Sequence, residues 1–239
     1  MHIPTFPHAR AAVAGRRAGR RSAWLVALCA VLLAGAPCNA AWAQAASNPS
    51  LNAQLLVGAR TNDFARVQRV LAQGAAPESR NRLGKTALLI AAENGNLAIA
   101  ASMLKAGANV DMASLEKVTP LMAASYKGSA AVVKLLLDAG AKTEPLDRMN
   151  KPAVIYAAGQ GRSDALAALL ASGVDVNAAY EHQLTAPMWA AGQGHADAVA
   201  QLLARGALPA LREDRGLTAR EMAKAAAHAA VAALLPPGA

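Results

Sequence analysis

Apolar residues recur along this chain in step. The pairs Val70-Leu71, Met103-Leu104, Leu136-Leu137, Leu169-Leu170 and Leu202-Leu203 each lie 33 residues after the pair before. Between them runs a second apolar set of small residues, Ala91-Ala92, Ala123-Ala124, Ala157-Ala158 and Ala190-Ala191. The polar and turn-forming positions that separate these stretches keep the same interval. Thr86, Thr119, Pro152, Thr185 and Thr218 form one register; Gly95, Gly128, Gly161 and Gly194 a second; Gly74, Gly107, Gly140, Gly173 and Gly206 a third. A threonine side chain accepts from an orphan amide at a helix start, and a proline just inside has no amide to leave unpaired, so Thr119-Pro120 marks where a first helix begins. The small alanines let that helix lie close to its neighbours while keeping helix propensity high. Glycine just past its end supplies the positive φ at which the chain reverses. A second helix then carries the large apolar pair. Each unit therefore predicts two antiparallel helices, and no unit can bury its apolar face alone.

A 33-residue period with a Thr-Pro-Leu start, as in Thr119-Pro120-Leu121, and a Gly-Ala-Asn-Val-Asp end, as in Gly107 to Asp111, resembles the ankyrin-repeat family. The likeness spans residues 51–235. It implies an all-α solenoid of about six helix-turn-helix units, at about 51–80, 81–113, 114–146, 147–179, 180–212 and 213–235, the first and last acting as caps. Short hairpin loops would join the units. The first unit has Ala53 and Asn62 where the interior units have Thr and Gly. The last has Arg220, Glu221 and Lys224 at expected apolar positions and Ala227 at the Gly position. Other departures are local. The histidine that usually follows Thr-Pro-Leu is replaced by Leu89, Met122, Ile155, Met188 and Glu221, and Pro187 is displaced in the fifth unit.

Residues 1–43 differ in kind. Arg10, Arg16, Arg17, Arg20 and Arg21 come with no acidic residue, followed by the apolar run Ala23 to Ala36 and small residues ending Ala41-Trp42-Ala43. That is the three-part pattern of a secretory signal. The run of about 14 residues is short of the roughly 18–20 that a spanning helix needs. Cleavage is expected after Ala43, with Ala40 as the alternative site, and the Arg20-Arg21 pair leaves a twin-arginine route open beside the general one. Residues 44–50 read as a linker and 236–239 as a tail. The expected compartment is the periplasm of a bacterium; the alternative is a secreted or inner-membrane-anchored protein that binds host proteins.

Removing the leader changes the charge argument. Of 24 basic residues five lie in it, which leaves 19 against 15 acidic ones, so +9 falls to +4. No basic run with interleaved aromatics remains, and nucleic-acid binding loses its support. Both cysteines, Cys29 and Cys38, leave as well, which suits an oxidising compartment. The three remaining histidines are His182, His195 and His228. His195 reads as a helix-start hydrogen bond, and the pair Glu213-Asp214 as a solvated turn. There is no zinc-protease helix motif, no nucleophile elbow and no phosphate-cradling loop, so the reading is a non-catalytic module without cofactor or metal.

In the family that the chain resembles, hairpin tips and the inner-helix face make a concave surface for protein partners. Mapped through the Thr register, the candidates here are Arg82, Lys85, Arg148, Lys151, Glu181 and His182 at the tips, with Tyr126, Lys127, Tyr156 and Trp189 on inner helices. Four of the five aromatics beyond the leader, Tyr126, Tyr156, Tyr180 and Trp189, fall in units three to five. Tyr156 and Trp189 share a repeat position with Ile90 and Ala123, so core packing and partner contact are both open for them. The expected partner is a protein with an apolar and acidic patch, bound by a monomer.

Overall fold

The computed structural model describes residues 49–236, and within them twelve α-helices follow one another in pairs. They are α1 (Pro49–Arg60) and α2 (Phe64–Ala72), α3 (Ala87–Asn94) and α4 (Leu97–Lys105), α5 (Pro120–Lys127) and α6 (Ala130–Asp138). The second half has α7 (Ala153–Gly159) and α8 (Ser163–Ala171), α9 (Ala186–Gly192) and α10 (Ala196–Ala204), and α11 (Ala219–Ala225) and α12 (Ala229–Leu234). No strand occurs among the described residues; a single bridge, Arg80 with Thr86, closes one hairpin. The leader over 1–43, the linker up to residue 48 and the last three residues of the expected tail lie outside the described residues. None of the described helices is long and apolar enough to cross a membrane.

The start and stop signals act as their chemistry demands. Thr86, Thr119 and Thr218 each accept from the amide three residues on, at 3.2–3.3 Å, and Pro120 is the first residue of α5. Thr185 occupies the same place without a side-chain cap bond, and Pro152 has no hydroxyl to offer. Gly95, Gly128, Gly161 and Gly194 turn the chain at φ between 61° and 86°. The end units reach the same left-handed conformation without glycine, at Asn62 (φ 57°) and Ala227 (φ 61°).

First helices stack on first helices and second on second, from α1 and α2 through to α11 and α12, with contacts running mainly between neighbours. The close stacking follows from size: Ala91, Ala92, Ala124, Ala157, Ala158, Ala190 and Ala191 are wholly buried. Of each large apolar pair the first member (Val70, Met103, Leu136, Leu169, Leu202) is buried to within 1 %. Four of the second members are only partly covered, while Leu170 is buried. A fully buried leucine contributes about 1.5–3 kcal/mol, so stability resides in the interfaces between units rather than in any one unit.

Candidate functional site

Four of the five hairpin tips begin with a polar residue that braces its own loop. The Asn81 Oδ1 accepts from the amides of Leu83 (2.8 Å) and Lys85 (3.0 Å), and the Asp147 Oδ1 from those of Met149 (2.8 Å) and Lys151 (2.9 Å). Ser114 accepts from Val118 at 3.3 Å, and the Glu213 Oε1 from Arg215 (3.1 Å) and Leu217 (3.2 Å). Successive tips are joined by backbone rungs: Leu115 N–H to Leu83 C=O (3.0 Å), Arg148 N–H to Glu116 C=O (3.2 Å) and Asp214 N–H to His182 C=O (3.1 Å).

The fifth tip departs from this pattern. Tyr180 stands at the brace register, and a phenol cannot fold back to accept from its own loop. The tip instead forms a 3-10 turn, Glu181–Gln183, in which His182 (φ 59°) and Gln183 (φ 58°) are both left-handed. Left-handed backbone costs a residue with a Cβ roughly 1–2 kcal/mol. The rung between the fourth and fifth tips is missing: among the described residues the Glu181 N–H and the Met149 C=O have no protein partner.

On the first helices of units three and four, Tyr126 and Tyr156 meet edge to face, with centroids 5.9 Å apart and planes at 80°. The Tyr156 hydroxyl donates to the Asp147 Oδ2, so the residue that braces the fourth tip also orients this ring. Burial, and then the Asp147 carboxylate that it serves, push the Tyr156 phenol well above its ordinary range. Lys85 pairs with Glu93 at 2.5 Å, and the Lys151 ammonium lies 4.2 Å from the centre of the Trp189 ring. Tyr156 and Trp189 are partly buried against the core, whereas Tyr126 is 52 % exposed.

These rings divide the groove into a row of clefts. Lys85, Glu93, Met122, Tyr126 and Tyr156 line one of about 400 Å³. Arg148, Met149, Lys151, Tyr180, Glu181, His182 and Trp189 are among the residues that line a second of about 430 Å³, at the gap in the rung ladder. Leu184, Met188, Trp189, Arg215 and Met222 line a third of about 360 Å³. Eight of the ten candidate residues thus fall around the first two. Arg82 and Lys127 are exposed and lie outside all three. Arg148 pairs with Glu116 (3.1 Å), and His182 with Asp214 (3.3 Å). Asp147 was not singled out from sequence; its one signal is its place in the register of Asn81, Ser114 and Glu213.

Two expectations are corrected. Glu213 is not in a solvated turn: it is 5 % exposed, because its carboxylate is folded inward to serve its own loop amides. His195 opens α10, but its ring makes no helix-start bond; its Nε2 lies 3.1 Å from the Gly159 carbonyl at the end of α7. Arg162 does the same one unit earlier, donating from Nε to the Tyr126 carbonyl at 3.2 Å. Both satisfy carbonyls that a helix end leaves unpaired. Among the described residues no three histidine, cysteine or carboxylate side chains gather where a metal could bind.

A family model described as ankyrin repeats (3 copies) matches residues 55–147 and 102–180, together more than half of the chain. None of the curated proteins matches it significantly.

Proposed function

Since the chain belongs to the ankyrin-repeat family, whose repeats form protein-protein interaction modules, we propose that it is an exported, non-catalytic module that captures a partner protein on the concave face and hairpin tips of units three to five. The observation that carries this reading is the placement of the aromatics. Tyr126, Tyr156, Tyr180 and Trp189 gather on one side of a solenoid whose other large apolar residues mostly serve the core. Aromatic rings in partly desolvated pockets are the residues that most often dominate binding. On the tips and inner helices of units two and three, Arg82, Lys117 and Lys127 have no ion-pair partner among the described residues. An apolar surface with acidic neighbours complements that arrangement. Export to the periplasm rests on the leader pattern of residues 1–43 alone.

The test is capture from a periplasmic extract by the tagged full chain, with bound proteins identified by mass spectrometry. Tyr126→Ala and Lys127→Glu alter exposed side chains, so each should weaken capture severalfold while leaving the thermal midpoint within about 2 °C. A fall in the midpoint with capture unchanged would make this face structural and end the proposal.

A further inference from the structure

The gap between the fourth and fifth hairpin tips specifies the form of the partner's segment. We infer that the clefts on either side of Trp189 take an extended stretch of polypeptide with two apolar side chains three residues apart, followed by carboxylates. The inference rests on the concave face being the docking face.

Three observations support it. The first is the main-chain pair at the mouth of the cleft. Where neighbouring tips are tied by a rung, here the Glu181 N–H and the Met149 C=O have no partner among the described residues, and both residues line the same cavity. A helix has its main-chain groups satisfied internally and gains nothing from such a pair, whereas an extended segment can donate to one and accept from the other. The second is spacing. The second and third clefts share Trp189 and Leu184 as a dividing ridge and belong to successive unit junctions. Stacked helices lie about 8–10 Å apart, which three residues of polyproline II chain at about 3.1 Å each span, and its three residues per turn put both side chains on the same side. The third is charge. On the tips and inner helices of units two to four, Arg82, Lys85, Lys117, Lys127, Arg148 and Lys151 face only Glu93, Glu116 and Asp147. Those three carboxylates are already engaged, by Lys85, by Arg148 and by the Tyr156 hydroxyl. The surplus of positive charge lies on the side of the clefts toward unit two, where acidic residues following the apolar pair would arrive.

Tyr180 explains why the gap exists. At the brace register it replaces the loop's own hydrogen-bond acceptor with a ring, which opens the tip and supplies one wall of the cavity.

The probe is a fluorescein-labelled peptide, Leu-Pro-Pro-Leu-Pro-Glu-Glu-Glu, titrated against the full chain by fluorescence anisotropy. It should bind about tenfold more tightly than Pro-Leu-Leu-Pro-Pro-Glu-Glu-Glu, which has the same composition but misplaces one anchor. It should also bind more tightly than the version with lysine in place of glutamate, and the difference should shrink in high salt. Trp189→Ala should abolish binding. Glu181→Pro deletes one N–H at the first residue of a 3-10 turn that follows extended Tyr180 (φ −114°, ψ −152°). It should weaken binding about fivefold, the scale of one hydrogen bond, while Glu181→Ala should not. Equal binding of the two spacings, preference for lysine, or equal affinity in Glu181→Pro and Glu181→Ala would overturn the extended-segment inference. If the extract partner still depends on Tyr126 and Lys127 in those cases, the docking face stands and only its ligand is wrong. If that dependence is absent too, both fall.

Discussion

Units four and six share one skeleton and use the same repeat positions differently. In unit four the register that holds Leu88 and Leu121 carries buried Val154, the next position but one carries Tyr156, and the loop brace Asp147 also holds that ring from the groove side. In unit six the same positions carry Arg220 and Met222, and the brace Glu213 takes an ion pair from Arg215 (3.1 Å). The Nε and Nη1 of Arg220 are enclosed without a hydrogen-bond partner. Glu221 closes a capping box on Thr218 (2.7 Å to its amide, 2.9 Å to its hydroxyl) and also faces Arg212. An interior unit packs against two neighbours, so its surface positions are free to present rings and charges. A described end unit with one neighbour relies on local hydrogen bonds instead.

The sharpest way to break that contrast is to remove one buried apolar side chain from an interior unit and one from the last unit. Leu121→Ala, at a wholly buried interior site, should cost about 2–5 kcal/mol and destabilise the units on both sides. Val231→Ala in the last helix should loosen only α11 and α12. Amide exchange resolved by unit distinguishes the two, and equal spreading from both sites would contradict the contrast.

Next comes a pair of glycines. Gly107 (φ 86°) has open space where a Cβ would point, whereas at Gly161 (φ 61°) a Cβ would meet the His195 ring at 2.5 Å. Gly107→Ala should therefore show only the backbone cost of about 1 kcal/mol, and Gly161→Ala clearly more, in urea denaturation. In the opposite direction, Ala227→Gly should stabilise the end unit by about 0.4–1 kcal/mol, because Ala227 now holds φ 61° with a Cβ. A loss of stability there would mean that the left-handed turn is not the strained feature.

The smallest effect is that of acid. Burial raises the Glu213 carboxyl, but bonds from Arg215 and Leu217 overcome this and leave it lowered; the Thr218 amide and hydroxyl lower that of Glu221. Folded values below the ordinary 4.5 mean that this stabilisation is complete above 4.5 and is lost as pH falls through the lowered values. Exchange protection of α11 and α12 should then drop below about pH 4.5 before that of α5 to α8.

What the sequence made legible follows the reach of each interaction. The glycine and threonine registers could be read because positive φ and helix capping are demands of a few consecutive residues. The apolar pairs could be read because burial repeats with the unit. The acceptor for His195 could not, since the Gly159 carbonyl lies in the preceding unit and comes within reach only when the helices stack. Glu213 was misread because a lone acidic pair in a turn looks solvated until the loop closes around it. The cleft at Tyr180 was hidden for a related reason: its aromatic ring was visible, but its consequence, a missing rung between two tips, is a property of neighbouring loops.

The account turns on which face of the stack meets the partner. Amide hydrogen exchange of the full chain, alone and with a partner captured from the extract, tests this directly. The prediction is slowed exchange in tip segments 115–118, 148–151 and 181–184, with α4, α6, α8 and α10 unchanged. Slowing confined to those outer helices, with free exchange at the tips, would contradict it.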